Sequence, residues 1–232
     1  MKIKAIKTRI FLENEDLTSF ILKYLKKVPE NSVLVVTSKI VALSEGRVVV
    51  YKNEKQKISL IKSESDFAIK AKGVWLTMKD GMLLANAGID ESNACGKLIM
   101  LPKDSFKITD KIRKVLIKKF KLKNLGVVIT DSGLLPLRSG AVGIALGYAG
   151  FEGVRNYVGK KDIFGRVLKM SKTDVVDSLA TSAVLCMGEG NERKPLAIIT
   201  DAPVLFKNKI NKKEIKISKK EDIYAPLLNK FN

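Results

Sequence analysis

An α+β fold with mixed sheets and packed helices is predicted by three features of the 232-residue chain. The first is a continuous β-branched run, Ser32–Thr37 (SVLVVT), of the kind that forms a strand buried on both faces. The second is a set of amphipathic helical stripes. The third is that the strands and helices alternate without a strict βαβ rhythm, which argues against a single doubly wound sheet.

The elements follow in order. Lys2–Thr8 alternates apolar and polar residues as a first strand does, and Asp16 then precedes Leu17, Phe20, Ile21, Tyr24 and Leu25 at helical spacing. Pro29 and Asn31 end that helix and lead into Ser32–Thr37. Further strands are predicted at Arg47–Tyr51, Val74–Met78, Met82–Ala85, Gly126–Thr130, Val142–Leu146, Val167–Met170 and Leu196–Thr200. Helices are predicted at Ser59–Ala71, Thr109–Phe120 and Thr173–Met187, the last with Val176, Leu179, Ala183 and Met187 on one face. Lys207–Lys220 reads as a solvated hairpin or a connection to a short helix within Asp222–Phe231, a segment suited to packing on the body or on a neighbouring subunit. No composition break marks a boundary, so residues 1–232 are expected to form one domain, or two coupled lobes.

Composition narrows the function. The apolar content of 46% supports a globular core, and no apolar stretch is long enough to cross a bilayer. MKIKAIKTRI has no signal-peptide core, so a cytoplasmic location and no membrane partner are expected. His is absent, and Cys95 and Cys186 lack zinc-ligand spacing, which excludes His-based catalysis and structural zinc; both thiols are expected to be buried. The net charge of +19 suggests anionic partners, but 36 of the 43 basic residues are Lys, spread along the whole chain without an Arg or aromatic motif. That distribution favours a lysine-rich surface and small anionic ligands over nucleic acid.

Four segments could carry chemistry. Val36–Ile40 (VTSKI) runs a strand into a turn or helix start with Ser38 and Lys39, a place where anions bind, although the glycines of a Walker loop are missing. Ala85–Asn93 is a turn rich in the oxygen ligands that hard cations prefer. Val127–Ser132 delivers Asp131 and Ser132 at the C-terminal end of an apolar strand, as metal-assisted phosphate chemistry requires. Met187–Gly190 places Glu189 between two glycines that allow close backbone approach to a ligand. Each also has a plain structural reading: a Ser cap, an ordinary turn, a strand-ending Asp and a helix C-cap.

Taken in order, VVTSKIV, EGRVV, NAGIDESN, LP, GVVITDS, ALGYAGFEG, DIFGR, a Ser/Ala-rich helix and MGEG resemble the coenzyme F-420 γ-glutamyl ligase family, over roughly residues 33–200. The resemblance implies that family's fold. It also implies a ligase that uses GTP, or ATP in its place, to activate a carboxylate as an acyl phosphate for attack by the amino group of L-glutamate. Two divalent cations, Mg²⁺ or Mn²⁺, are implied, with Asp90 and Asp131 on one and Ser132 and Glu189 serving the second. Ser132 stands where the family usually has Thr and keeps the hydroxyl. Ser38, Lys39, Asn93, Gly188 and Gly190 are then nucleotide contacts, and Asp131 and Lys39 are the catalytic pair.

Two departures bear on the substrate. Leu43 occupies the position of a second family lysine, and Ser132–Ala141 (SGLLPLRSGA) replaces a segment that typically carries an aromatic residue and two arginines. Only Arg138 remains to meet the acceptor, which is expected to be a small carboxylate-bearing coenzyme precursor, folate-like or deazaflavin. A homodimer is implied as well. A nucleotide-binding protein without ligase activity and a basic nucleic-acid-binding module are the competing readings.

Overall fold

The computed structural model describes residues 1–228 and has α+β architecture. In chain order its elements are β1 (Lys2–Ile6), α1 (Leu17–Tyr24), β2 (Ser32–Thr37), α2 (Ser38–Ser44), β3 (Val48–Val49), α3 (Glu54–Ser63), β4 (Phe67–Lys70), β5 (Trp75–Lys79) and β6 (Met82–Ala85). There follow β7 (Leu98–Ile99), α4 (Ser105–Phe120), β8 (Leu125–Leu134), β9 (Ala141–Ala149), β10 (Val154–Asn156), β11 (Lys172–Asp174), α5 (Val175–Met187), β12 (Leu196–Thr200) and α6 (Ala225–Leu228).

The body is a five-stranded sheet in the order β1-β12-β2-β8-β9. Only β2 and β8 run parallel, with Thr37 opposite Thr130 as their last pair. Because β2 is central, its residues feed both layers of the core: Leu34 and Val36 face α1, α2 and α4, while Val33 and Val35 face α5. That explains the continuous apolar run, since a strand covered on both sides has no polar face to show. A β4-β5-β6 meander and the pairs β3-β7 and β10-β11 surround this sheet.

Side-chain caps set where the helices begin. Asp16 accepts from the Ser19 N–H at 2.7 Å and Asp104 from the Lys107 N–H at 2.8 Å, so α4 starts at Ser105, a turn before the expected Thr109. Asn53 likewise caps α3, which therefore starts at Glu54 and ends at Ser63, where Ser59–Ala71 was expected. The Ser65 hydroxyl folds back onto the Ile61 carbonyl, and Phe67–Lys70 pairs with β5 as a strand. Alternation in FAIK outweighs helical spacing because a partner strand is present.

Other expectations need correcting. Val167–Met170 is not a strand: Val167 makes a single bridge to Lys161, and the pairing strand is Lys172–Asp174, which takes Thr173 from the expected helix. Only Val48–Val49 of Arg47–Tyr51 is strand. Both cysteines are exposed. Lys207–Lys220 is a connection of turns, tied to the body by Glu214, whose carboxylate accepts from the Tyr148 hydroxyl and from the Gly153 N–H at 2.7 Å. Of Asp222–Phe231, the stretch Ala225–Leu228 is helical, and residues 229–232 lie outside the described residues. No described helix is long and apolar enough to cross a membrane.

β9 fits between β8 and α5 only because Gly143 lacks a side chain: a Cβ there would meet the Ala180 carbonyl oxygen at 2.5 Å and Val184 Cγ2 at 2.7 Å. Gly143→Ala is therefore expected to lower unfolding free energy by about 1–3 kcal/mol through overpacking against helix backbone. Urea denaturation measures this; an unchanged midpoint would show that α5 moves away at little cost.

Candidate functional site

The site is built where β8 outruns its parallel neighbour. After Thr37 the chain turns into α2, whereas β8 continues through Asp131 and Ser132 to Leu134. Asp131 thus sits inside a strand, not at its end as the sequence suggested, and it looks across at the first residue of α2. Ser38 Oγ donates to Asp131 Oδ1 at 3.0 Å.

A register shift between Ile129 and Thr130 re-aims this end of the strand: Ile129 pairs with Gly147, but Thr130 pairs with Ala145. Side chains bond the backbone beside the irregularity. The Thr130 hydroxyl donates to the Ile144 carbonyl at 2.9 Å, Thr181 to the Gly143 carbonyl at 2.7 Å, and the Ala145 N–H donates to Asp177 at 2.7 Å. Burial beside Asp174 pushes the Asp177 carboxyl up to about 6.

Burial is also the largest influence on Asp131, whose carboxyl is pushed up to about 6, with the Asp90 charge adding to the rise and Ser38, the Ser132 N–H and Lys39 opposing it. The next residue turns outward to a different partner. Ser132 Oγ lies 2.9 and 2.7 Å from the two Glu189 carboxylate oxygens. Glu189 comes from the end of α5, where Gly188 has φ 85° and a Cβ would collide with the Glu192 carboxylate. Glu192 in turn accepts from the Gly190 N–H at 2.9 Å, which fixes the loop around Glu189.

Asp90 approaches from a third direction, on the loop between β6 and β7, held by a backbone bridge to Ile99. Lys39 Nζ is 2.7 Å from Asp90 Oδ2 and also donates to the Ser92 carbonyl at 2.8 Å and the Ser92 hydroxyl at 3.0 Å. Burial raises the Asp90 carboxyl, but Lys39 and Ser92 more than offset this and hold it below the usual range. Asn93 Nδ2 donates to the Gly190 carbonyl at 3.1 Å, joining this loop to the one that carries Glu189.

These groups line one cavity of about 930 Å³, together with an apolar wall that includes Phe11, Ile40, Leu43 and Met187. Of the residues proposed from sequence, Lys39, Asp90, Asn93, Asp131, Ser132, Gly188, Glu189 and Gly190 face it, and Ser38 stands behind Asp131. Arg138 does not join them: it lies on the exposed turn between β8 and β9, outside the lining. Sequence reasoning missed Arg9, Ser92, Glu192, Arg193 and Lys194, which also line the cavity. Ser92 stood inside a motif already singled out, but Arg9 and Arg193 reach one cavity only through folding, as the Thr8 N–H bonds to the Arg193 carbonyl at 2.8 Å. A second cavity, about 590 Å³, lies by residues 29–31 and 200–206; of its two carboxylates, Glu30 is spent on the N–H groups of Lys123 and Asn124.

The donor set suits a hard divalent cation: its ligating groups are oxygens, with a desolvated carboxylate, Asp131, within electrostatic reach of a second, Asp90. Among the described residues no three His, Cys, Asp or Glu groups converge into a complete cage. An ion such as Mg²⁺ takes one or two carboxylates and completes its shell with water and phosphate oxygens.

Comparison with known proteins identifies the family. The family model described as F420-0:Gamma-glutamyl ligase matches residues 5–201. A coenzyme F420:L-glutamate ligase of Methanococcus maripaludis (strain C7) is 32% identical over 244 aligned residues, covering 97% of both chains. The enzyme of the same name from Methanocaldococcus jannaschii is 42% identical over 146 residues, 63% of this chain and 58% of the relative. With the family match spanning nearly the whole sheet and every loop that lines the cavity, the chain belongs to the F420-0:gamma-glutamyl ligase family and is an enzyme of the acid–amino-acid ligase class.

Proposed function

We propose that the protein is a nucleotide- and divalent-metal-dependent γ-glutamyl ligase that joins L-glutamate to a carboxylate of a coenzyme precursor of the F420-0 type. The observation that carries this reading is the desolvated Asp131 carboxylate, poised between Ser38 and Asp90 in a cavity that also holds Lys39, Ser132 and Glu189. In the proposed reaction the acceptor carboxylate takes the γ-phosphoryl group of GTP, releasing the nucleoside diphosphate. The glutamate amino nitrogen then attacks the acyl carbon, loses a proton and expels inorganic phosphate.

Several negative charges must be held together for this, and a protein without His can do so because phosphoryl transfer depends on positioning and electrostatics. Asp90 and Asp131 would hold one ion, and Ser132 and Glu189 would serve a second. When bound, such ions neutralise phosphate and carboxylate oxygens as Lewis acids. Ser38 orients Asp131 through its hydrogen bond, and Lys39 orients Asp90 through its ion pair. The backbone around Gly188 and Gly190 keeps the Glu189 loop close enough for a nucleotide to lie against main chain. Leu43 on the cavity wall offers packing where a lysine would offer charge, which removes one contact favouring a particular nucleotide.

Incubation with GTP or ATP, Mg²⁺ or Mn²⁺, L-glutamate and candidate acceptors, followed by mass spectrometry, tests the reading. Glutamyl addition to an F420-0-type acceptor, with phosphate released only when acceptor and glutamate are both present, is the expected result. Addition only to a folate-like acceptor would move the substrate assignment and leave the chemistry. Nucleotide binding with no product would favour a non-catalytic binder.

Asp131→Asn is expected to lower ligation by at least about 10²–10³-fold, because an amide holds a hard cation poorly. Its effect on stability should have the opposite sign. The folded-state carboxyl is raised from 3.8 to about 6, so its contribution is favourable at low pH and is lost as pH rises through about 6. At neutral pH the buried charge costs about 3 kcal/mol, which the amide removes. Thermal melts should therefore show Asp131→Asn more stable than the parent at about pH 7 and level with it below about pH 4. A less stable variant at neutral pH would mean that Ser38 and the Ser132 N–H outweigh burial.

A further inference from the structure

Lys39 and Asp90 are separated by 51 positions in sequence yet are connected twice, once directly and once through Ser92. Ser92 is exposed and belongs to no helix or strand. Its N–H donates to Asp90 Oδ1 at 2.6 Å and its hydroxyl to Asp90 Oδ2 at 3.0 Å. The same hydroxyl oxygen accepts from Lys39 Nζ at 3.0 Å, and the Ser92 carbonyl accepts at 2.8 Å. With Asp90 Oδ2 at 2.7 Å, the three protons of the Lys39 ammonium are all used.

The backbone around Asp90 is held independently. Glu91 is pinned by the Tyr51 hydroxyl at 2.8 Å and by Lys57 at 3.0 Å, and Asp90 itself exchanges two backbone hydrogen bonds of 2.9 Å with Ile99. The backbone also holds Asp90 Oδ1, through the Ser92 N–H, and leaves Oδ2 and the reach of the Lys39 ammonium to side chains. The Ser92 hydroxyl touches both.

We infer that Ser92 is a positioning residue, whose hydroxyl bonds both Asp90 Oδ2 and Lys39 Nζ and so fixes that carboxylate oxygen at the cavity, where a divalent cation can take it. This rests on the metal reading given above. Without the hydroxyl, Asp90 Oδ2 has only the ammonium to answer it, and Lys39 loses one of three acceptors. An incoming cation then competes for Oδ2 with an ammonium that no longer shares itself with the hydroxyl. The role is specific to the hydroxyl, because the two backbone contacts of Ser92 survive any substitution that keeps the loop.

Binding of Mn²⁺ to the full chain, followed by the paramagnetic resonance signal of the free ion, tests this without requiring turnover. Ser92→Ala is expected to weaken Mn²⁺ binding by about tenfold, the scale on which partners of metal ligands act, and Ser92→Thr to restore it to within about twofold. In the ligation assay the same loss should appear as a higher KM for metal, with kcat at saturating metal changed by less than about twofold. Ser92→Ala with parental Mn²⁺ affinity, or a loss that Thr does not rescue, would overturn the role of the hydroxyl and leave the metal site standing. A parent chain that binds no Mn²⁺ would overturn the metal reading and the role of Ser92 with it.

Discussion

The parallel pairing of β2 with β8 stops at Thr37 and Thr130, and one residue later the two chains part, one into a helix and the other onward as strand. That divergence opens a wedge at the carboxyl ends of two buried strands, and it is lined by whatever residues come next. On one side these are Ser38 and Lys39, and on the other Asp131 and Ser132. Parallel neighbours place both chain exits at the same edge of the sheet, which an antiparallel pair could not do. The rest of the cavity is assembled around this wedge: the Asp90 loop closes it from the β6–β7 side, and the turn after α5 closes it from the other.

Charge in the wedge is arranged in two ways. Lys39 answers Asp90 directly, so that carboxylate stays ionised despite its burial. Asp131 has hydrogen bonds but, among the described residues, no ion pair, and its carboxyl is raised accordingly. A carboxylate held in this state has much to gain from a cation, and the gain comes from ending its desolvation rather than from packing. Glu189 completes the pattern from a glycine-bounded turn where its only described hydrogen-bond partner is a neutral hydroxyl.

Helix α5 ties these parts into one unit. Its first half secures the irregular pairing of β9 through Asp177 and Thr181, and with it the register that presents Asp131 and Ser132. Its far end presents Glu189. Small residues at Ala180, Ala183 and Gly143 let the helix lie close on the sheet, so the two halves of the acidic cluster are fixed relative to each other by backbone-to-backbone proximity. The loop contact from Asn93 to Gly190 adds the third arm.

Much of this was legible in the chain itself. Runs such as SVLVVT and GVVIT declare central strands because burial on both faces leaves no polar alternation, and Asp16 declares a helix start because its side chain completes an orphan N–H. The motifs around Ser38, Asp90, Asp131 and Glu189 were visible because hydroxyls, carboxylates and glycines cluster there beside apolar strands. What the sequence could not decide was partnership. Whether FAIK is helix or strand depends on β5 lying beside it, and whether Arg138 reaches a cavity depends on where a hairpin tip ends. Asp131 looks like a strand-ending acid until the register with β9 carries the strand past it. The same holds for Ser92, whose side chain is ordinary in sequence and meets Lys39 only in the fold. Local composition determines which segments bury themselves and which carry charge, since those preferences are properties of the side chains. Which charge faces which is set by strand order, register and close approach of backbones, and these exist only once the tertiary structure has formed.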